Sequence, residues 1–194
     1  MEIEELPVNE ESLAVYSTIP SRFEVRSRLV PQVVDRGLGG MVLREEMVDP
    51  PYVKDYDALD EEGLTRWLRN FDTANWRLFL AREGATPVGG ATVAFRTAGL
   101  HILGGREDIA VLWDIRVCPE HWRRGVGTAL LAGTARWAGE RDCTHLKIET
   151  QNTNVAACHF YAARGCRLGE VNRFAYSDPR VSHETMLVWY LELR

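Results

Sequence analysis

No stretch of this sequence approaches the roughly 18 consecutive apolar residues that a membrane-spanning helix requires. Its first residues, Met1-Glu2-Ile3-Glu4-Glu5, are acidic where a secretory leader is basic and then apolar. A cytoplasmic location is therefore expected. Cysteine is scarce. Cys118, Cys143, Cys158 and Cys166 show neither C-x-x-C spacing nor a histidine partner at zinc-finger spacing. A metal site or redox pair is disfavoured, and the thiols read as buried and structural. A surplus of positive charge is lacking too: 23 Lys and Arg stand against 28 Asp and Glu, for a net charge of −5. The densest basic run is the pair Arg123-Arg124, so there is no electrostatic footprint for nucleic acid. Repeats and low-complexity tracts are absent. Loop-like composition is confined to Pro50-Pro51 and Leu103-Gly104-Gly105-Arg106. One continuous domain over residues 1–194 is the expected organisation.

What is present is enough to build a core: 45% of the residues are hydrophobic. The mildly acidic balance suits a cationic substrate better than a polyanion. In the first half, Arg26–Val34 reads as a short strand, and Glu61–Asn70 has helical spacing at Leu64, Trp67 and Leu68. Trp76–Arg82, a turn at Gly84–Pro87, and Val88–Arg96 with Ala91, Val93 and Phe95 on one face read as an antiparallel hairpin. Val111–Val117 alternates: Val111, Trp113, Ile115 and Val117 on one face, Leu112, Asp114 and Arg116 on the other. Asp114 and Arg116 are thus expected to point away from the more apolar side. Thr128–Glu140 carries a helical stripe at Leu130, Leu131, Thr134, Trp137 and Ala138. His145–Thr150 reads as a strand, Val155–Arg164 as a helix ended by Gly165, and Glu184–Glu192 as a last apolar strand, exposed enough to pair across a homodimer. The alternation implies a mixed α/β sheet.

Between a strand and a helix lies Arg123-Arg124-Gly125-Val126-Gly127-Thr128. Glycines there leave backbone N–H groups unobstructed, the helix start adds partial positive charge, and the arginines add charge-assisted hydrogen bonds. A pyrophosphate can dock on such a turn. The segment is no P-loop, which needs G-x-x-x-x-G-K-[ST]. Nor is it a dinucleotide fingerprint, because Leu130 stands where a third Gly or Ala is required. A plain surface turn is the competing reading of Gly125-Val126-Gly127 by itself.

Downstream, Asn154-x-x-Ala157-x-x-Phe160-Tyr161-x-x-x-Gly165 follows the next strand. The two blocks together resemble the signature of the GNAT superfamily of N-acetyltransferases. Pro51-Tyr52-Val53-Lys54-Asp55-Tyr56, Gly125 to Leu131, and Glu149-Thr150-Gln151-Asn152 through Asn154 to Ala162 further resemble the streptothricin acetyltransferases. The resemblance implies a mostly antiparallel central sheet with helices on both faces and a splayed parallel strand pair at the cofactor site. It implies acetyl-CoA as co-substrate with no metal, and a primary amine as acceptor, such as the β-lysine amine of a streptothricin-type antibiotic. Protein or peptide amines and polyamines remain alternative acceptors, and a non-catalytic acyl-CoA sensor is a reading of another class. The family carries Gln or Arg three residues before the first glycine. Here Trp122 stands there, and contact with pyrophosphate is expected mainly from backbone N–H groups, its own included.

Acetyl transfer to an amine needs a neutral amine, a stabilised oxyanion and a protonated leaving thiolate. An alkylammonium of pKa about 10.4 is only about one part in 2,500 neutral at pH 7, a handicap of roughly 4.6 kcal/mol. Asp114 and Glu149 are candidates to bind or deprotonate the amine, with Trp113 beside Asp114 as a possible acceptor wall; pairing with Arg116 or Lys147 is the structural alternative. The resemblance implies Tyr161 as proton donor to the thiolate, and Ile115, Val117, Asn154 and Ala157 as further cofactor contacts, with the Val117 N–H at the oxyanion. Asn154 also suits a helix N-cap. Cys158 lacks an activating neighbour at motif spacing and reads as structural.

Overall fold

Apolar side chains on both faces of its central strands force this chain to cover one sheet with helices on either side. The computed structural model describes residues 1–59 and 62–193. In chain order its elements are β1 (Glu2–Leu6), α1 (Glu10–Tyr16), β2 (Phe23–Val33), β3 (Met41–Lys54), α2 (Tyr56–Leu59), α3 (Arg66–Asn70), β4 (Trp76–Glu83), β5 (Thr86–Phe95), β6 (Ile109–Val117), α4 (Val126–Gly139), β7 (His145–Gln151), α5 (Val155–Ala163), β8 (Arg167–Asn172) and β9 (Met186–Glu192). They fall into two compact units. The first holds residues 1–21, the described part of 55–148, and the chain from Tyr190; the second holds Arg22–Lys54 and Glu149–Trp189.

In the first unit the strand order is β1-β4-β5-β6-β7. The pairs β1–β4, β4–β5 and β5–β6 are antiparallel, and β6–β7 is parallel. Two successive glycines of β5 show what covers each face. A Cβ on Gly89 would meet Val126 and Leu130 of α4, while one on Gly90 would lie 2.6 Å from the Tyr16 ring of α1. On the α1 face, Trp76, Leu78, Leu80, Ala94, Ile109 and Val111 pack with Leu13, Tyr16, Ile19 and Trp67. On the other face, Phe95 meets Trp137 of α4 edge-on. All five residues of the anticipated α4 stripe are buried.

The second unit pairs β2 with β3 as a long antiparallel hairpin and contains α5, β8 and most of β9. Strand β9 is bordered by β7 and β8. It is an inner strand, so the C-terminal edge anticipated for pairing across a dimer is already occupied. Asn152 fastens the hairpin: its side chain donates to the Leu29 carbonyl (2.8 Å) and accepts from the Thr185 N–H (2.8 Å).

Two other expectations change. The helix anticipated over Glu61–Asn70 is confined to Arg66–Asn70, because Gly63 takes a left-handed φ of 64° just upstream; Asp60 and Glu61 lie outside the described residues. The faces of β6 are also reassigned. Thr92 pairs with Asp114 but the next residue, Val93, pairs with Leu112, so β6 carries an extra residue at Trp113. This bulge inverts the alternation. Asp114 and Arg116 therefore share the α1 face with Val111, and Arg116 stands over the Tyr16 ring.

The tight fit of Gly90 gives a stability test. Gly90→Ala is expected to destabilise the fold by about 1–3 kcal/mol through overpacking against Tyr16. In thermal denaturation this lowers the midpoint by roughly 2–12 °C.

Candidate active site

The site builds from β6, which has a partner on both edges only over its first half. Its parallel ladder with β7 ends at Leu112 opposite Ile148, while β6 itself runs on to Val117. Successive residues of a strand turn their backbone groups to alternate sides. The Cys118 N–H donates to Val88 of β5 (2.9 Å), so the N–H groups of Ile115 and Val117 face the edge that β7 has left. The Val117 carbonyl, on that same side, accepts the Trp122 indole N–H at 2.7 Å.

The chain then turns at Pro119–His121 and enters α4 through Arg123 (φ 60°) and Gly125 (φ 89°), both left-handed. Gly125 is the N-cap residue and supplies no side-chain cap. The helices α1 and α5 differ: Asn9 caps α1 by accepting from the Ser12 N–H, and Asn154 caps α5 by accepting from the Ala157 N–H (3.2 Å). The N–H groups of Val126, Gly127 and Thr128 thus stand at a helix start with no carbonyl one turn back and no capping side chain. They offer a donor cradle with the positive end of the helix dipole behind it. Arg124 lies 3.5 Å from Glu83, which holds it beside this turn. The Trp122 amide is engaged with the Pro119 carbonyl (3.1 Å), so the contribution anticipated from that N–H is taken up by the turn itself. What Trp122 supplies is its indole, half-exposed and pinned to Val117.

Behind the bulge is a buried charge network. Arg116, with a side chain only 4% exposed, bonds Asp114 through Nε (2.7 Å) and Asp57 through Nη1 (2.8 Å). It also donates to the Ile19 carbonyl (3.3 Å). Burial pushes the Asp114 carboxyl above the usual carboxylate range, opposed by the Arg116 charge beside it. Burial, reinforced by Asp114, holds the Tyr16 phenol well above its ordinary value. Asp114 therefore has the arginine partner that the structural alternative anticipated. Trp113 packs its ring edge-on against Trp67, Phe71 and Trp76. Asp55 accepts from Ser21, and Glu62 pairs with Arg69.

In the second unit, Glu149 follows the last residue of β7 that pairs with β6 and is half-buried. It accepts a hydrogen bond from the Tyr176 hydroxyl at 2.9 Å. The same hydroxyl receives the Gln151 amide at 3.1 Å. Tyr176 was not singled out in the sequence, since nothing periodic marks the segment between β8 and β9. Tyr161 is buried in α5 between the rings of Phe160 and Trp189. Gly165 (φ 86°) ends that helix, and the Cys166 N–H returns to the Tyr161 carbonyl. Among the described residues, no group of three or more His, Cys, Asp or Glu is placed to hold a metal ion. No described helix is long and apolar enough to cross a membrane.

A mixed sheet with one parallel pair, an abandoned strand edge and an uncapped helix start suits an acyltransferase that grips a phosphate-bearing acyl carrier. The chain belongs to the acetyltransferase (GNAT) family, which it matches over residues 41–166. It is similar to streptothricin acetyltransferase A of Bacillus subtilis, with 30% identity over 168 residues and 87% of each chain covered. Among solved structures, nourseothricin acetyltransferase shares the fold at a TM-score of 0.75, with 23% identity and 99% of both chains covered. A Bacillus anthracis protein assigned as a streptothricin acetyltransferase, solved in complex with acetyl coenzyme A, gives 0.74 at 25% identity over 98% of this chain and 99% of its own.

The thiols can be tested against any covalent role. Burial pushes Cys158 up to about 12 and Cys166 to about 11. On the order of one Cys158 in ten thousand is then thiolate at pH 8. Labelling of the native protein at that pH is expected at half-buried Cys118 first, and at Cys158 only on unfolding. Cys158→Ala is expected to keep kcat within about threefold, whereas a covalent acetyl-cysteine would require its loss.

Proposed function

We propose that this protein transfers the acetyl group of acetyl-CoA directly to a primary amine of a streptothricin-type cationic antibiotic. Acetyl-CoA is the co-substrate. The observation that carries the reading is the pairing, within one unit, of a helix start without a side-chain cap and a strand that runs on past the end of its ladder with β7. The first suits a pyrophosphate and the second an extended acyl-bearing arm. The streptothricin acceptor rests on the similarity to the Bacillus subtilis enzyme over most of both chains. We read the whole chain as one acetyltransferase domain in the cytoplasm, since the family match runs through segments of both units.

In this mechanism the amides of Val126, Gly127 and Thr128, with Arg123 and Arg124, hold the pyrophosphate. Ile115, Asn154 and Ala157 line the acyl-carrying arm. Glu149 takes a proton from the acceptor ammonium, so that the nitrogen lone pair attacks the acetyl carbonyl carbon and a C–N bond forms. The Val117 N–H stabilises the oxyanion. As that oxyanion collapses, the C–S bond breaks, the Tyr161 hydroxyl protonates the departing thiolate, and the second proton of the nitrogen leaves through water, from which the Tyr161 phenol is restored. A phenol of pKa near 10 is still protonated at neutral pH and suits the task. Asp114, Asp57 and Arg116 together carry one net negative charge, which favours a cationic acceptor, with Trp113 as a wall of its pocket.

Release of free coenzyme A from acetyl-CoA is the test, with streptothricin and a panel of simple amines as acceptors. Turnover of streptothricin at a kcat/KM of about 10⁴ M⁻¹s⁻¹ or more is expected. Tyr161→Phe is expected to lower kcat about 100-fold or more while acetyl-CoA still binds. Turnover of another amine alone would replace the acceptor and keep the chemistry. Tight acetyl-CoA binding without turnover of any amine would make the protein a sensor.

A further inference from the structure

We propose that Tyr176 is a positioning residue for Glu149, fixing the carboxylate that receives the acceptor's proton; this rests on the role given to Glu149 above. Three groups meet here, and their chemistry fixes the direction of each bond. Glu149 and Gln151 are two residues apart on β7 and so lie on the same side of the strand. Tyr176 arrives from the segment between β8 and β9. An ionised carboxylate can only accept, so the Tyr176 hydroxyl donates to Glu149 Oε1 at 2.9 Å. With its proton committed, the phenol oxygen is the acceptor for the Gln151 amide at 3.1 Å. The relay Gln151 to Tyr176 to Glu149 therefore runs one way, and each donor polarises the next.

The hydroxyl is delivered by a segment that opens with a local turn and is tied down at its far end. At its start, Asn172 accepts the Phe174 N–H at 2.9 Å. At its end, Glu184 forms a buried ion pair with Lys54, their side chains only 3% and 7% exposed. The Thr185 N–H donates to Asn152 next to it. A carboxylate grasped through one oxygen by an anchored donor keeps one rotamer and presents its basic lone pairs in one direction. A base must meet its proton at hydrogen-bond distance, so fixing that direction raises the rate of the step without adding a group to it. Tyr176 acts through Glu149.

A double-mutant cycle of Tyr176→Phe and Glu149→Gln tests this, read as kcat and as KM for each substrate, using whichever amine the wild type acetylates. Tyr176→Phe is expected to lower kcat/KM for the amine about tenfold or more, the size of a hydrogen bond to a charged group. KM for acetyl-CoA is expected to stay within about twofold, and titration with acetyl-CoA checks that the variant is folded. In the E149Q background, adding Tyr176→Phe is expected to cost less than about twofold. An equal loss in both backgrounds, or no loss in either, overturns the inference and leaves the acetyltransferase reading standing. Full activity of E149Q overturns both this inference and the base assignment, and a wild type that acetylates no amine overturns the proposed function with it.

Discussion

The feature on which the rest depends is the change of surroundings along β6. Up to Leu112 the strand is paired on both edges, and past it the β7 edge is vacated. The bulge at Trp113 falls at the same level. Each event has consequences for the residues beyond. Past the end of that ladder the N–H groups of Ile115 and Val117 face the β7 side of the strand and not β5. The bulge rotates Asp114 and Arg116 onto the α1 face, where a guanidinium only 4% exposed requires compensation. Asp114, Asp57 and the Ile19 carbonyl supply it. A buried ion pair of this kind adds little net stability but is costly to break. It therefore fixes the path of β6 into the turn that follows.

The second constraint is electrostatic. The helices α1 and α5 satisfy their first turns with Asn9 and Asn154, whereas the longer α4 begins at a left-handed glycine without such help. A side chain on Gly125 would be strained at φ 89°. The same residue that cannot cap the helix thus leaves its amides open to an anion. Trp122, where the family pattern has Gln or Arg, trades a side-chain contact for a tie from its indole to the Val117 carbonyl. The turn is held to the end of β6 by that bond, and the first backbone amides of α4 are left without a side-chain cap.

The legible parts of the sequence were those with a single period. The hairpin β4–β5, the stripe of α4, and β7 with α5 followed from alternation, helical spacing and Gly165. Where the period breaks, legibility fails for physical reasons. The bulge at Trp113 leaves no local mark, so Asp114 and Arg116 were assigned to the wrong face. In α1 the capping box closes with Ser12 in place of the usual Glu or Gln, which hid a helix at Glu10–Tyr16. Strand β3 is exposed over most of its length and mixes charges with apolar residues, so it shows no buried face to read. Tyr176 lies in an irregular segment and becomes significant only when folding brings it to Glu149. The signature blocks could be read because the cradle is local: strand, glycine turn and helix are contiguous. Contacts gathered from distant segments, such as that of Tyr176 with Glu149, are not.

Amide hydrogen exchange with and without acetyl-CoA tests the central claim most directly. Binding is expected to slow exchange at Ile115, Val117, Val126, Gly127 and Thr128, while β4 and the first half of β6 stay as they were. Slowing confined to other parts of the chain, such as the loop at 96–107, with no change at the start of α4 or the end of β6, would contradict the account.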